Sequence, residues 1–241
     1  MSLLVAVSDL HLDQSTAGVD RFDDVVAVLE KAAAYAIEKQ ADAFLFLGDL
    51  ADPNTVRSHR SVNALARVMS KLKQKCIQCV CLAGNHDVIE DGSGGTVLDS
   101  LVWLDAGPVY TEPTVEPLLS AYGEFICTIV ALPFVPIVRA YNPAEFIRNI
   151  GKKVRIQDPV LVIGHLNLDG ITLGSESTDM PRGRDIFWPI EDLRIELPNA
   201  LRVGGHYHTP QTFEGVRIVG SAVRLRFDER DNDPGFVVLE V

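Results

Sequence analysis

Five short motifs of this chain place side chains that can coordinate metal ions directly after apolar segments. They are Asp9-Leu10-His11, Gly48-Asp49, Gly84-Asn85-His86-Asp87, Gly164-His165 and Gly205-His206-Tyr207-His208. Each apolar segment has the composition of a buried β-strand, and four of the five motifs begin with a glycine. Five of the six histidines fall in these motifs, and only His59 lies outside them. Core histidines scattered by chance would not all follow strands, so the set predicts a metal site.

The donor atoms of these motifs are oxygen and nitrogen, and no cysteine sulfur is among them. The predicted ligands are Asp9, His11, Asp49, Asn85, His165, His206 and His208. Such a set suits manganese, iron or zinc in a catalytic site rather than a structural zinc site made of thiolates. Seven ligands are too many for one ion with an open position, but they suffice for two ions that share Asp49. Two ions roughly 3.5–4 Å apart hold a bridging hydroxide, polarise a phosphoryl oxygen and stabilise the transition state of phosphoryl transfer.

The segments that position these motifs alternate between strand and helix in the first part of the chain. Strands are predicted at 3–8, 43–47 and 77–83, and helices at about 20–40 and 56–75. This order predicts parallel strands joined by right-handed crossovers, with ligands bound at the carboxyl ends of the strands. The motifs lie at those ends.

The second part of the chain is richer in strands. Strands are predicted around 109 and at 115–119, 124–132, 160–163, 201–204, 212–213, 216–219, 223–227 and 236–241, and helices at 96–105 and near 143–150. The polar, glycine-containing segment 167–189 predicts a long loop over the site. The two parts together predict an α/β fold in which a β-sandwich is covered by helices.

Length and composition predict one soluble domain. The chain has 241 residues, 47% of them hydrophobic, and no linker-like tract divides it, so we expect a single catalytic domain over residues 1–241. Its N-terminus lacks the basic region of a signal peptide, and no run approaches the roughly 18–20 apolar residues of a membrane span. We therefore expect a cytoplasmic protein with no membrane partner. The formal net charge of −11 disfavours tight, unassisted binding to DNA.

The five motifs in this order resemble those of the calcineurin-like metallophosphoesterases, and the resemblance covers the whole chain. It implies an α/β fold with the four-layered α/β/β/α metallophosphoesterase sandwich. It also implies that one ion is bound by Asp9, His11, Asp49 and His208, and the second by Asp49, Asn85, His165 and His206.

The resemblance also implies two catalytic roles. His86 matches the outer histidine that contacts the phosphoryl group and protonates the leaving oxygen. Asp52 matches the carboxylate that orients this histidine, raises its basicity and selects its tautomer. The alternative for Asp52 is a solvated turn beside Pro53, because aspartate favours turns.

Longer matches outside the metal ligands resemble the bacterial SbcD-type DNA exonucleases. They cover 48–52, 164–170 with 174–176, 205–211, and 220–227 with 235–238. They imply a DNA repair nuclease that uses a metal-bridging hydroxide and two divalent ions, with manganese expected and iron or zinc as alternatives. They further imply an SbcC-like ATPase, or another protein, that supplies the grip on DNA. The chain ends at Val241, directly after the β-rich part, so we expect no C-terminal capping domain.

Two alternatives to a nuclease remain open. The short length and the acidic charge favour a phosphodiesterase that acts on a small nucleotide or a cyclic phosphodiester. A non-catalytic metal-binding scaffold is the alternative of another class. A scaffold predicts eroded ligand positions, whereas every ligand position in this sequence is filled.

Overall fold

The computed structural model describes the chain except for residues 52–57, 90–94, 136–141, 151, 156, 169–170 and 172–186. The described strands and helices are, in chain order, β1 (Leu3–Val7), β2 (Ser15–Thr16), β3 (Val19–Asp20), α1 (Phe22–Glu38), β4 (Ala43–Phe46), α2 (Ser58–Lys73), β5 (Gln78–Leu82), β6 (Val109–Tyr110), β7 (Thr114–Leu119), β8 (Phe125–Leu132), α3 (Pro143–Ile150), β9 (Val160–His165), α4 (Ile190–Glu196), β10 (Leu201–Gly205), β11 (Gln211–Phe213), β12 (Val216–Ile218) and β13 (Val237–Glu240). Among these elements, no helix is long and apolar enough to cross a membrane.

The first sheet has the strand order β13-β1-β4-β5-β6. Strands β1, β4, β5 and β6 are parallel, and β13 pairs antiparallel with β1 at the edge. Side chains alternate between the two faces of each strand. Val5 and Phe44 pack on the side of helices α1 and α2, whereas Leu4 and Leu45 pack towards the second sheet.

The second sheet has the strand order β11-β12-β10-β9-β8-β7. Its central strands β12, β10, β9 and β8 are parallel, and the edge strands β11 and β7 are antiparallel to their neighbours. Ile129 and Leu161 face the first sheet, while Val130 and Val162 pack with residues of α3 and α4 such as Leu193. Helices therefore cover both outer faces of two packed sheets, and the predicted α/β/β/α fold is confirmed.

Three local predictions differ from the structure. The predicted strand at 223–227 is wrong, because the backbone N–H of Leu225 donates to the Glu229 carboxylate at 2.7 Å instead of joining a ladder. A 3₁₀ helix, Phe227–Glu229, follows this irregular segment. The helix predicted at 96–105 is a shorter 3₁₀ helix, Asp99–Leu104. Most of the loop predicted at 167–189 lies outside the described residues.

Candidate metal centre

The backbone after three parallel strands adopts left-handed conformations at the motif residues. The φ angles are 49° at Asp9, 40° at His11, 60° at Asp49 and 90° at His206. Residues other than glycine rarely adopt such angles, and they persist where the surrounding structure holds them, often at functional sites. Four of the seven predicted ligands share this feature, which turns their side chains towards one another at the strand ends.

Glycines allow the loops after β4 and β5 to approach each other closely. A Cβ atom added at Gly48, whose φ is 100°, would lie 2.8 Å from the Cα of Gly84. A Cβ atom added at Gly84 would lie 2.5 Å from the backbone nitrogen of Asp49. Both distances are far below normal contact, so these two glycines are needed for the packing of the motifs against each other.

One cluster of potential ligands joins the two sheets through Asp9, His11 and His208. One ligand atom from each of the three lies within 4.8 Å of the others, and all three residues are buried. The Nε2 atoms of His11 and His208 are 3.1 Å apart, although 197 residues separate them in sequence. Two facing imidazole nitrogens with a carboxylate beside them suit a cation between them.

A second cluster contains Asp49, His165 and His206, whose ligand atoms also lie within 4.8 Å of one another. The side-chain oxygen of Asn85 lies 3.0 Å from His165 Nε2 and 2.9 Å from His206 Nδ1. Asn85 therefore adds a fourth donor atom to this cluster.

Asp49 lies between the two clusters. Its Oδ2 atom is 3.6 Å from His11 Nε2 and 3.3 Å from His165 Nε2. The seven residues predicted as ligands are thus brought together, and this oxygen- and nitrogen-rich donor set fits two divalent cations.

The calcineurin-like phosphoesterase family model matches residues 3–210 of the sequence. The chain belongs to the calcineurin-like phosphoesterase family. Membership implies a metal-dependent phosphoesterase, and the two clusters are its candidate ligand sets. A comparison with curated proteins found no significant match.

Solved structures share the fold of this phosphoesterase at low sequence identity. A dimetal phosphatase from Danio rerio is 11% identical with a TM-score of 0.57, and the match covers 98% of this chain and 91% of that chain. A protein of Thermus thermophilus is 15% identical with a TM-score of 0.52, and the match covers 91% and 89% of the two chains. The nuclease MPE from Pseudomonas putida is 20% identical with a TM-score of 0.35, over 68% and 61%. The first two matches support a common fold and carry no information on the substrate.

Two histidines of the phosphoesterase are oriented by their outer ring nitrogens. His165 donates from Nδ1 to the backbone oxygen of Leu47 at 2.8 Å. His208 donates from Nδ1 to the carboxylate of Glu229 at 2.8 Å. Because Nδ1 is used in each case, Nε2 is the nitrogen that faces the cluster, which is the usual arrangement of a metal-binding histidine.

Sequence reasoning missed Glu229. It is a buried carboxylate, 1% exposed, and its Oε2 atom accepts the backbone N–H of Leu225. The signal that pointed towards it was the matched run 220–227, which stops two residues before it. A lone glutamate beyond that run has no spacing that links it to His208.

Asp87 was grouped with a motif but had no predicted role. Its Oδ2 atom accepts the backbone N–H groups of Gly84 at 2.8 Å and Asp49 at 2.9 Å, and its Oδ1 atom accepts that of Leu50 at 2.8 Å. Burial, followed by the nearby charge of Asp49, raises the pKa of Asp87 to about 7. The side chain joins the loops after β4 and β5 and fixes the position of Asp49.

Electrostatics divide the histidines of the centre into two types. Burial lowers the pKa of His206 to about 3 and holds the pKa of His11 well below its usual value, so both imidazoles are neutral donors. Burial also opposes charge on His165, but the Asp49 carboxylate outweighs it and raises the His165 pKa to about 9. Burial likewise opposes charge on Asp49, yet the histidines, His165 first, hold its pKa well below the usual range. A cation bound between them displaces the His165 proton, so metal binding releases protons.

His86 lies at the rim of the centre. Its ring centroid is 5.0 Å from that of His11, and the side chain is partly exposed. Its backbone N–H donates to Asp49 Oδ1 at 2.9 Å. One of its ring nitrogens also lies within 4.8 Å of potential ligand atoms of His11 and Asp49. Asp52, its predicted partner, lies outside the described residues.

Proposed function

We propose that this phosphoesterase is a dinuclear metal-dependent phosphodiesterase that acts on DNA as an SbcD-like nuclease. The observation that carries the dinuclear assignment is the position of Asp49 Oδ2, 3.6 Å from His11 Nε2 and 3.3 Å from His165 Nε2. A carboxylate between two donor clusters can bridge two cations, and paired cations are a recurring solution for phosphodiester hydrolysis.

The proposed ligand scheme divides the seven residues between two ions. Asp9, His11 and His208 bind the first ion, Asn85, His165 and His206 bind the second, and Asp49 bridges them. The resident ion is expected to be manganese, with iron and zinc as alternatives, because oxygen and imidazole donors accommodate all three. When bound, two such ions neutralise charge on the phosphoryl oxygens and lower the pKa of water to supply a nucleophile.

His86 is the proposed general acid. Its partly exposed imidazole at the rim can reach a substrate that lies over the buried ligands, and a protonated imidazole can give its proton to the leaving oxygen. The backbone N–H of His86 is bonded to Asp49, which ties the position of this residue to that of the bridging carboxylate. Asp52 is proposed to orient the ring of His86.

The DNA substrate is supported by the sequence matches to SbcD-type exonucleases rather than by the metal centre itself. These matches include residues 205–211, where Tyr207 is fully buried and its hydroxyl donates to Asn167 Oδ1 at 3.1 Å. Tyr207 thus links the strand ends of β9 and β10, which is a positioning role outside the ligands. An SbcC-like ATPase partner is part of the same proposal.

A small nucleotide or a cyclic phosphodiester is the second candidate substrate. The net charge of −11 favours it, since a strongly acidic chain repels a long polyanion more than it repels a single phosphodiester. Both candidates use the same metal centre and differ only in what lies around it.

The test is hydrolysis of three substrates by protein that has been stripped of metal and reloaded with Mn²⁺. The substrates are bis-p-nitrophenyl phosphate, a labelled DNA duplex with free ends, and a cyclic nucleotide. Cleavage of DNA that declines as salt rises supports the nuclease. Turnover of the small diesters with intact DNA supports the second candidate. Two bound ions without turnover of any substrate would return the scaffold hypothesis.

A further inference from the structure

We propose that the outer face of α2 binds the phosphate backbone of a DNA strand and guides it to the metal centre. This inference rests on the proposed nuclease function and names the surface that supplies its grip on DNA. The groove concerned, called the α2 groove below, is lined by Phe22, His59, Arg60, Asn63, Ala66, Arg67, Ser70, Lys71 and Gln74.

The charge of the chain is unevenly distributed, and α2 lies in its basic part. Residues 53–86 contain six of the 22 lysines and arginines and none of the 33 aspartates and glutamates. The remaining sequence is therefore even more acidic than the net charge of −11 indicates. A basic stripe on one helix is the electrostatic footprint of a polyanion site, and it removes the main objection that composition raised against DNA.

The groove has the size and the polar groups for an extended strand. Its volume is about 770 Å³. Positions 60, 67 and 71 follow one face of α2 at spacings of seven and four residues, and at 1.5 Å per residue they extend over about 16 Å. Asn63 and Gln74 lie on the same stripe and are exposed, so they can donate to phosphate or sugar oxygens.

Two cations of the groove are available to a ligand. Among the described residues, Arg67 and Lys71 form no ion pair with any carboxylate, and both side chains are exposed. Arg60 is held in place instead, because it donates to both carboxylate oxygens of Asp20 and lies over the ring of Phe22 at 3.8 Å. The groove thus has a fixed end at Arg60, with the Arg67 and Lys71 cations beyond it.

The fixed end faces the side of the metal centre. Helix α2 connects the parallel strands β4 and β5, so its first turn lies at their carboxyl edge, where Asp49 is found. Asp20 belongs to the β2–β3 hairpin, which begins four residues after His11. Thr16 of the same hairpin donates to the backbone oxygen of Leu225 at 2.6 Å. A strand along the groove therefore runs towards the ligands.

The experiment is fluorescence anisotropy of a fluorescein-labelled single-stranded oligodeoxynucleotide, titrated with the full chain in the presence of a chelator that prevents cleavage. The test variant is Arg67→Glu with Lys71→Glu. The control is Lys152→Glu with Lys153→Glu, an equal change of charge at exposed lysines beyond α3, in the opposite helix layer. Turnover of bis-p-nitrophenyl phosphate by the Mn²⁺-loaded proteins is measured in parallel.

We expect the test variant to bind the oligonucleotide roughly tenfold or more weakly at low salt, and its salt slope to fall by about two, one for each lost phosphate contact. The control should bind within about twofold of the natural sequence, since a distant charge acts only through the screened overall field. Small-diester turnover should be unchanged in both variants.

Equal binding by the test and control variants would overturn the proposal, as would failure of the natural sequence to bind the oligonucleotide. If the glutamate variant loses turnover of the small diester, the pair Arg67→Gln with Lys71→Gln decides, because glutamine keeps helix propensity without adding charge. Loss of DNA cleavage is a separate result. Binding through the groove without cleavage removes the nuclease function and leaves the groove standing.

Discussion

The two histidine clusters of the metal centre are held by different devices. His165 is oriented by a backbone oxygen, that of Leu47, at the end of the strand that leads to Asp49. His208 is oriented by a buried side chain, the carboxylate of Glu229, which comes from an irregular segment beyond the sheet. A backbone anchor exists wherever β4 and β9 pack together, whereas a carboxylate anchor depends on one residue and adds negative charge. The first cluster should therefore be the one that single substitutions can tune.

Asp49→Ala is expected to have the largest effect, because this residue serves both clusters. The variant should lose at least one ion per chain and fall to background turnover of bis-p-nitrophenyl phosphate, since the two donor sets no longer share a bridge. Metal content is measured by mass spectrometry after dialysis. Asp23→Ala, an exposed carboxylate on α1, is the control. Two ions retained by Asp49→Ala would contradict the ligand scheme.

His86→Ala separates catalysis from metal binding. Turnover should fall by about 10²–10⁴-fold, which is the usual contribution of a general acid or base. Both ions should remain, because the proposed scheme does not use His86 as a ligand. His59→Ala, an exposed histidine outside the motifs, is the control on the same small diester. Loss of an ion in His86→Ala would show instead that this imidazole coordinates metal together with His11 and Asp49.

Glu229→Gln tests the difference between the two anchors directly. The amide keeps the size of the side chain and removes its charge, so the affinity of the first ion should fall by about 10–100-fold, as for other partners of metal-binding histidines. The second ion should bind as before. Calorimetric titration of the metal-free protein with Mn²⁺ resolves the two steps, and Glu240→Gln, on an exposed glutamate of β13, is the control. Equal weakening of both ions would mean that the clusters are not independently held.

Ser8→Ala is expected to have the smallest effect. Ser8 is buried, and its hydroxyl donates at 3.2 Å to the same Leu47 oxygen that anchors His165. Its removal should lower the free energy of unfolding by about 1 kcal/mol, the net value of one neutral hydrogen bond. Both ions should be retained, since the His165 bond to the backbone is intact. Loss of the second ion in this variant would show that the backbone anchor also depends on a side chain.

Much of the fold followed from local sequence signals. The apolar runs before Asp9 and Asp49 are buried strands, and helix α3 has the predicted bounds, because the period of hydrophobic residues reports local burial. The segment 223–227 misled the same reasoning. Its apolar residues alternate like those of a strand, but the Glu229 carboxylate takes up the N–H of Leu225. Such a competitor lies outside the local pattern and is visible only in three dimensions.

The sequence by itself determined the chemistry of the centre: which donor types are present, that they follow strands, and that glycines precede most of them. Only the tertiary structure decided which donors meet. His11 and His208, 197 residues apart, come within 3.1 Å because two sheets bury their apolar faces against each other and bring their carboxyl edges together. The same packing placed Glu229 behind His208 and gave α2 an exposed basic face. Side-chain type is a local property, whereas proximity results from burying a core, and a catalytic centre needs both.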